Sequence, residues 1–309
     1  MKLFTDKDVK AALPWPRLID ELREAFAKGV TQPLRSAYPV PVPDGPDSTF
    51  LTMPAWEEGG KLAVKILFIV PGNAARNLPA VNATVVVFDA VTGQAEAVME
   101  GAELTARRTA ATSALAADAM ARKDAKSLLI VGSGTIAEVL VSAHRTVRDY
   151  DTVKIWGRNP DKAQALADKF EGVSVATDLD AAVAEADVIA AATITNEPLI
   201  KGALLKPGTH LDLVGGYTQE MREADTEAVK RAAGGIIVDT YDGAMAEAGD
   251  LTQPLAAGDI ARSDIVGDLA ELCRGEAVPR KADDQITLFK SVGAALEDFV
   301  AARMAASST

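Results

Sequence analysis

Lys65 lies in the run KLAVKILFIV, residues 61–70. Strand alternation there sets Leu62, Val64, Ile66 and Phe68 on one face, and Ala63, Lys65, Leu67 and Ile69 on the other. The lysine thus shares its face with apolar neighbours. On a buried face, desolvation lowers the ammonium pKa and lets the side chain exchange protons with a substrate nitrogen or polarise a carbonyl. On an edge strand the same spacing gives an ordinary surface lysine. A second group sits in LTARRTAATSALAADAM, residues 104–120. Thr105 is read as the cap of a helix of small side chains, and the adjacent Arg107 and Arg108 must point in different directions. One of them can face inward as an anion clamp; the plainer alternative is that both solvate a helix end. Arg35, in QPLRSAYP, is a third cationic candidate.

The stretch KSLLIVGSGTIAEVLVSA, Lys126 to Ala143, carries a different chemistry. An apolar run passes through Gly132, Gly134 and Ala137 into a helix-forming segment that Thr135 and Ile136 open. This is the strand, glycine turn and helix of a dinucleotide site. Gly132 allows the tight turn, Gly134 lets a pyrophosphate approach the backbone, and Ala137 lets the helix pack on the strand with its N-terminus toward the phosphates. The next strand, TVKIW, ends in Gly157, Arg158 and Asn159, where the adenosine ribose belongs. No acid occupies 156–159, and Arg158 can pair with a 2′-phosphate, so NADP is the preferred cofactor and NAD the alternative.

Three regions position these groups. Residues 1 to about 105 hold an amphipathic helix, Trp15 to Lys28, and then short alternating strands such as KLAVKILFIV and ATVVVFDAVTG, the pattern of an antiparallel sheet. From about 125 to 270, LLIVG, VKIWG, VSVAT, DVIAAAT, THLDLVGG and GIIVDT alternate with helical segments. That pattern gives an α/β fold, a doubly wound parallel sheet. A final helix over about 291–306, with Val292, Leu296, Phe299 and Val300 on one side, is expected to return to the first region.

The 309-residue chain has a hydrophobic fraction of 48% and a net charge of −12. These values fit a globular protein with one or two cores and argue against a nucleic-acid or anionic-membrane surface. Neither a signal-peptide pattern nor a run of about 18 apolar residues is evident, and a cytoplasmic protein is expected. Cys273 is alone, which excludes an internal disulfide, and it is read as a buried inert thiol in DLAELCRG. His144 and His210 are too few for a metal cluster and are assigned structural or surface duty.

The ordered series QPLRSAYP, TMPAW, KLAVK with Asn73, LTARRTAATSALA, VGSGTIA, ADVIAAAT, KPGTHLDLVGG, EAGD and ITLFKSVGAALED resembles the ornithine cyclodeaminase and mu-crystallin family. The resemblance spans nearly the whole chain. It implies a homodimer whose substrate-binding and dimerisation domain comprises 1–115 with 288–309, with a Rossmann domain over 116–287 and substrate between the two. It further implies that Arg35 and Arg108 hold a substrate α-carboxylate, that Lys65 lies beside the reacting carbon and nitrogen, and that Thr109 approaches the cofactor. Cyclodeaminases of the family carry an acid just after the VGG strand end, where this chain has Tyr217, and tend to carry one shortly before Met-Pro, where it has Leu51 and Thr52. Both losses remove charge that would hold a second ammonium group. Ile136 stands where the family usually has glutamine, and Glu247 and Asp250 fall where members place polar groups near the nicotinamide or where a loop is capped. The implied activity is NAD(P)H-dependent reduction of small α-imino carboxylates, of the ketimine or pyrroline-2-carboxylate type, or amino-acid dehydrogenation. The alternatives are ornithine cyclodeaminase with bound NAD and a cofactor-loaded small-ligand binding protein of the mu-crystallin kind.

Overall fold

In the computed structural model, which describes residues 1–76 and 78–308 with the side chain of Ala74 excepted, the chain divides into two compact units. One comprises residues 1–108 with 294–309, the other residues 109–293.

The first unit opens with β1 (Lys2–Phe4), α1 (Asp6–Ala12) and α2 (Trp15–Lys28). In α2, Leu18, Ile19, Leu22, Ala25 and Phe26 recur at helical spacing and are buried, and Gly29, at φ 80°, ends the helix. Strands β2 (Ser36–Val40), β3 (Ser48–Trp56), β4 (Lys61–Ile69), β5 (Val81–Asp89) and β6 (Ala95–Glu100) follow. They form one sheet in the order β1-β6-β5-β4-β3-β2. All its ladders are antiparallel except β1 with β6, so the sheet is mixed rather than purely antiparallel.

Strand β4 is central in this sheet and carries Lys65. The register aligns Met53, Lys65, Val85 and Met99 across four strands, all buried on one face. That excludes the edge-strand reading of Lys65. α3 (Gly101–Met120) begins four residues earlier than the Thr105 cap reading, so Thr105 is inside the helix and caps nothing. The division between the units falls within α3.

The second unit runs β7 (Ser127–Val131), α4 (Thr135–Val147), β8 (Thr152–Trp156), α5 (Pro160–Ala167), β9 (Val173–Val175), α6 (Leu179–Glu185) and β10 (Val188–Ala191). It continues through β11 (His210–Leu213), α7 (Thr226–Arg231), β12 (Ile236–Val238), α8 (Tyr241–Glu247), α9 (Gly249–Ala257), β13 (Ile265–Asp268), α10 (Leu269–Cys273) and β14 (Thr287–Lys290). Every ladder is parallel, in the order β13-β12-β14-β11-β10-β7-β8-β9. Strands β10, β11, β12 and β14 are buried throughout, as strands covered on both faces must be. The chain reverses its direction of winding between β7 and β10, which makes the crevice beyond their carboxyl ends the switch point of a Rossmann-like sheet. β14, which a boundary at 287/288 would cut, lies unbroken between β11 and β12.

α11 (Ala295–Ser307) returns to the first unit and packs against α2, β3 and β4. It begins after Val292, and it is buried nearly all round rather than along one stripe, because it fills the space over the sheet face that bears Lys65.

Candidate active site

Two acids of α11 complete the surroundings of Lys65. Its Nζ lies 2.6 Å from Asp298 Oδ2. Arg108, in the second turn of α3, sits 2.9 Å from Asp298 Oδ1 through Nε and 2.6 Å from Glu297 Oε2 through Nη1. Lys65 is 3% exposed, Arg108 6%, Glu297 0% and Asp298 1%, so two cations and two anions neutralise one another out of water. Burial, with the Arg108 charge beside it, pulls the Lys65 ammonium down to about 8, against the opposing pull of Asp298. Burial also works against the Arg108 charge, yet Asp298 and Glu297 together raise its pKa above the ordinary arginine value. A lysine so placed gives up and takes back a proton near neutral pH, and a guanidinium so placed is a fixed charge.

Adjacent Arg107 points elsewhere. Its Nε and Nη2 donate to the Leu13 carbonyl at 2.9 and 2.6 Å, and its guanidinium stacks 3.9 Å over the Trp15 ring. It fastens α3 to the start of α2 and is structural. Arg35 is half-buried, one residue before β2; extending the β2–β3 register by one step sets it opposite Met53, which is itself opposite Lys65. Glu297 and Asp298 escaped the sequence reading although the signal was present: two acids in an otherwise apolar helix must find cationic partners if the helix is buried.

In the second unit, Gly132 has φ 136°, and a Cβ there would stand 2.8 Å from the Ala192 carbonyl oxygen, so the turn after β7 admits only glycine. Gly134 opens α4 with no side-chain cap, and a Cβ on it would meet nothing within 4 Å. Open space thus stands over unpaired helix N–H groups, as an approaching phosphate requires. Thr135 is exposed and Ile136 half-buried at this helix start. A groove of about 330 Å³ runs beside it, lined by Gly132, Ser133, Trp156, Arg158, Lys162 and Thr193 among others. The residues present therefore fit a dinucleotide. Arg158 and Asn159 both border the groove, but the Asn159 side chain also accepts from Lys162 N at 3.0 Å and caps α5. Lys162 is a second cation on this wall that the strand-end reading missed. Thr109 is buried in α3 and is not among the residues lining the groove.

The remaining polar candidates are structural. Ser113 Oγ lies 2.9 Å from His144 Nε2 and donates to Asp212 Oδ2, and all three side chains are fully buried. Burial holds His210 neutral, with Nδ1 3.0 Å from Thr287 Oγ1. Cys273 forms no disulfide and is half-buried at the end of α10, more open than the buried thiol expected. Glu247 ends α8, and Asp250 is fully buried at the start of α9. Among the described residues no group of His, Cys, Asp and Glu is arranged to hold a metal ion, and no helix is long and apolar enough to cross a membrane.

The model of the ornithine cyclodeaminase/mu-crystallin family matches residues 3–308. The chain is 37% identical over 300 residues to a Delta(1)-pyrroline-2-carboxylate reductase of Paracoccus denitrificans, covering 96% of this chain and 93% of that one. Among solved structures it superposes with a TM-score of 0.93 on the Thermococcus litoralis Delta(1)-pyrroline-2-carboxylate reductase in complex with NADH and L-proline. That comparison has 31% identity and covers 100% of this chain and 97% of the other. An archaeal alanine dehydrogenase dimer with bound NAD superposes at 0.90, with 26% identity over 100% and 95% of the two chains.

Proposed function

The chain belongs to the ornithine cyclodeaminase/mu-crystallin family, and from that premise we propose that it is an NAD(P)H-dependent reductase of small α-imino carboxylates, with the reduction of pyrroline-2-carboxylate to proline as its leading reaction. The observation that carries this reading is the buried cluster of Lys65, Arg108, Glu297 and Asp298. A reduced nicotinamide, when bound, supplies the hydride. What the protein must add is a proton for the nitrogen and a fixed charge for the carboxylate.

Lys65, drawn down to about 8, is the proton donor, and Asp298 holds its Nζ in place. Arg108 and Arg35 are assigned to the substrate carboxylate, with Arg108 held rigid by the two acids of α11. The balance is one hydride to carbon and one proton to nitrogen, which turns the imine into the amine. Tyr217 in place of an acid after β11 supports reduction over ornithine cyclodeamination, since nothing at that position offers a charge to a second ammonium group.

The cofactor is assigned to the groove between the ends of β7 and β10, with the N–H groups of Gly134, Thr135 and Ile136 at the phosphates and Thr109 nearby in sequence to the arginine pair. Arg158, Asn159 and Lys162 border the adenosine end, and two cations without an acid among the lining residues favour NADPH over NADH. The protein is further assigned to the cytoplasm, a compartment in which a cysteine outside any disulfide, such as Cys273, is ordinary.

The outer face of the six-stranded sheet supports a homodimer. Tyr38, Phe50 and Phe68 stack along one row at centroid separations of 6.2 and 5.0 Å, and Pro54, Val64, Val86 and Val98 form another. An apolar face of this extent is what a self-complementary interface covers.

The test is NADPH and NADH oxidation with pyrroline-2-carboxylate by wild type and Lys65→Ala. Turnover in the variant is expected to fall at least a hundredfold with nucleotide affinity unchanged; a variant of near wild-type turnover removes the proton donor from this reading. Ammonia from ornithine without net cofactor change would replace reduction by cyclodeamination.

A further inference from the structure

One fully buried carboxylate in the second unit takes no part in the chemistry above. Glu223 precedes α7 in a segment with no regular structure, yet it is 0% exposed. Its Oε1 accepts from the backbone N and the hydroxyl of Thr193, at 2.7 and 2.9 Å. Its Oε2 accepts from the backbone N of Gly215 and Gly216, at 2.7 and 3.2 Å. Thr193 lies just past the end of β10 and lines the nucleotide groove, whereas Gly215 and Gly216 follow β11. A single side chain therefore ties together the segments leaving two neighbouring strands at the edge where a doubly wound sheet binds its ligand.

The supports of Glu223 are equally specific. Asp250 Oδ1 accepts from the backbone N of Glu223 and Ala224, at 2.7 and 3.1 Å. Lys290, at the end of β14, lies 3.0 Å from Asp250 and 3.9 Å from Glu223, and donates to the Gly216 carbonyl at 2.7 Å. Gly215 has no room for a side chain, since a Cβ there would stand 2.1 Å from Thr193 N. The three ionisable groups are each 0% exposed, two acids facing one lysine, and burial pushes the Glu223 carboxyl up to about 7 against the pull of Lys290. Stability alone does not call for a second buried acid beside one lysine, because an apolar or neutral group of the same shape is less costly to bury. All four donors to Glu223 are N–H or O–H groups, so only a carboxylate accepts every one of them.

We infer that Glu223 is a positioning residue of the nucleotide site, holding the Thr193 wall of the groove and the Gly215–Gly216 turn in the geometry the cofactor requires, with Lys290 and Asp250 as its supports. The inference rests on the reading of that groove as a dinucleotide site. It extends that reading to the motifs EAGD and FKSVG, whose Asp250 and Lys290 otherwise have no task. Glu223→Gln keeps the shape of the side chain but replaces one acceptor oxygen by a donor, which opposes at least one of the N–H groups it faces. The substitution also removes the second buried acid and leaves Lys290 paired with Asp250.

The experiment is titration of wild type and Glu223→Gln with NADPH, NADH and ADP-ribose by nucleotide fluorescence or calorimetry, alongside thermal unfolding of the unliganded proteins. The expected result is a dissociation constant raised at least tenfold for all three ligands, with an unfolding midpoint equal to or above wild type. Equal affinities in the two proteins overturn the inference, and so does a lowered midpoint that accounts for the loss of binding by partial unfolding. Failure of the wild type to bind any nucleotide refutes the groove assignment instead, a separate result. Should Glu223→Gln not fold, amide exchange in the wild type decides: Thr193, Gly215 and Gly216 are expected to be as protected as strand amides, and exchange at ordinary loop rates overturns the tie.

Discussion

Replacing Asp298 by Asn perturbs the proposed proton donor without touching it. In the folded protein Lys65 Nζ lies 2.6 Å from Asp298 Oδ2, and this contact opposes the burial and the Arg108 charge that draw the lysine down to about 8. Unit charges about 4 Å apart at an effective dielectric near 20 attract by about 4 kcal/mol, and retaining half of that through the amide dipole and relaxation leaves about 2 to 3 kcal/mol lost. At ~1.4 kcal/mol per unit, the lysine pKa falls by about two units. Wild-type Lys65 is then about nine-tenths protonated at pH 7 and the variant about one-tenth.

The assay is kcat/KM for NADPH oxidation by pyrroline-2-carboxylate between about pH 5 and 9. Wild-type activity is expected to decline as pH rises through about 8, with the decline in Asp298→Asn displaced about two units to lower pH. At pH 7 the variant is slower by roughly tenfold, and it recovers most of that loss at the acid end. Breaking a buried ion cluster also costs roughly 3 to 5 kcal/mol of stability, so circular dichroism must show the variant folded at the assay temperature. A decline that stays near pH 8 in the variant, or that persists in Lys65→Met, refutes the assignment of the proton to Lys65.

Linkage makes a second statement about the same residue. Its folded pKa lies below its unfolded value, so between about 8 and 10.5 the unfolded chain binds more protons, and Lys65 makes stability rise with pH across that window. Urea unfolding of wild type and Lys65→Met at about pH 7 and 10 should show the rise of a few kcal/mol only in the wild type. Arg158→Ala should lower the ratio of NADPH to NADH kcat/KM by roughly tenfold, the worth of one charge-assisted pair to a phosphate, with Lys162 retaining part of the preference. Gly132→Ala forces a Cβ against the Ala192 carbonyl at φ 136° and should abolish measurable nucleotide binding and lower the unfolding midpoint. Ile66→Asp, on the outer sheet face, should convert a dimer to a monomer in analytical ultracentrifugation, and an unchanged mass would place the interface elsewhere.

Local pattern was enough to locate the glycine turn between β7 and α4, because a parallel strand buried on both faces, a glycine forced to positive φ and a small residue under the helix each leave a mark at fixed spacing. It was also enough to place Lys65 on the same face as Ala63 and Leu67, since alternation along β4 holds without a bulge in its ladders with β3 and β5. Whether that face was the buried one was not legible, because it depends on which helix covers it. Asp298 and Glu297 met Lys65 and Arg108 only through tertiary packing, and no spacing rule spans that separation. The start of α3 was misplaced because Thr105 has the chemistry of a cap, whereas the observed helix begins at Gly101, directly after β6. β13 and β14 were missed as strands although they are as long as β10 and β11: IVGD and TLFK each hold only two large apolar residues and end on a charge.

The pairing of Arg108 with Asp298 across 190 residues also bears on how the chain is made. During synthesis the sheet carrying Lys65 and the first half of α3 emerge long before α11. Until that helix arrives, the sheet face it will cover is apolar and bears Lys65, and α3 bears Arg108, without the acids that pair with them. The parallel-sheet unit waits almost as long, because β14, which sits between β11 and β12 in the middle of its sheet, ends only five residues before α11 begins. Both units therefore finish late, and a released chain truncated before residue 295 should hold a closed parallel sheet beside an open, protease-sensitive one.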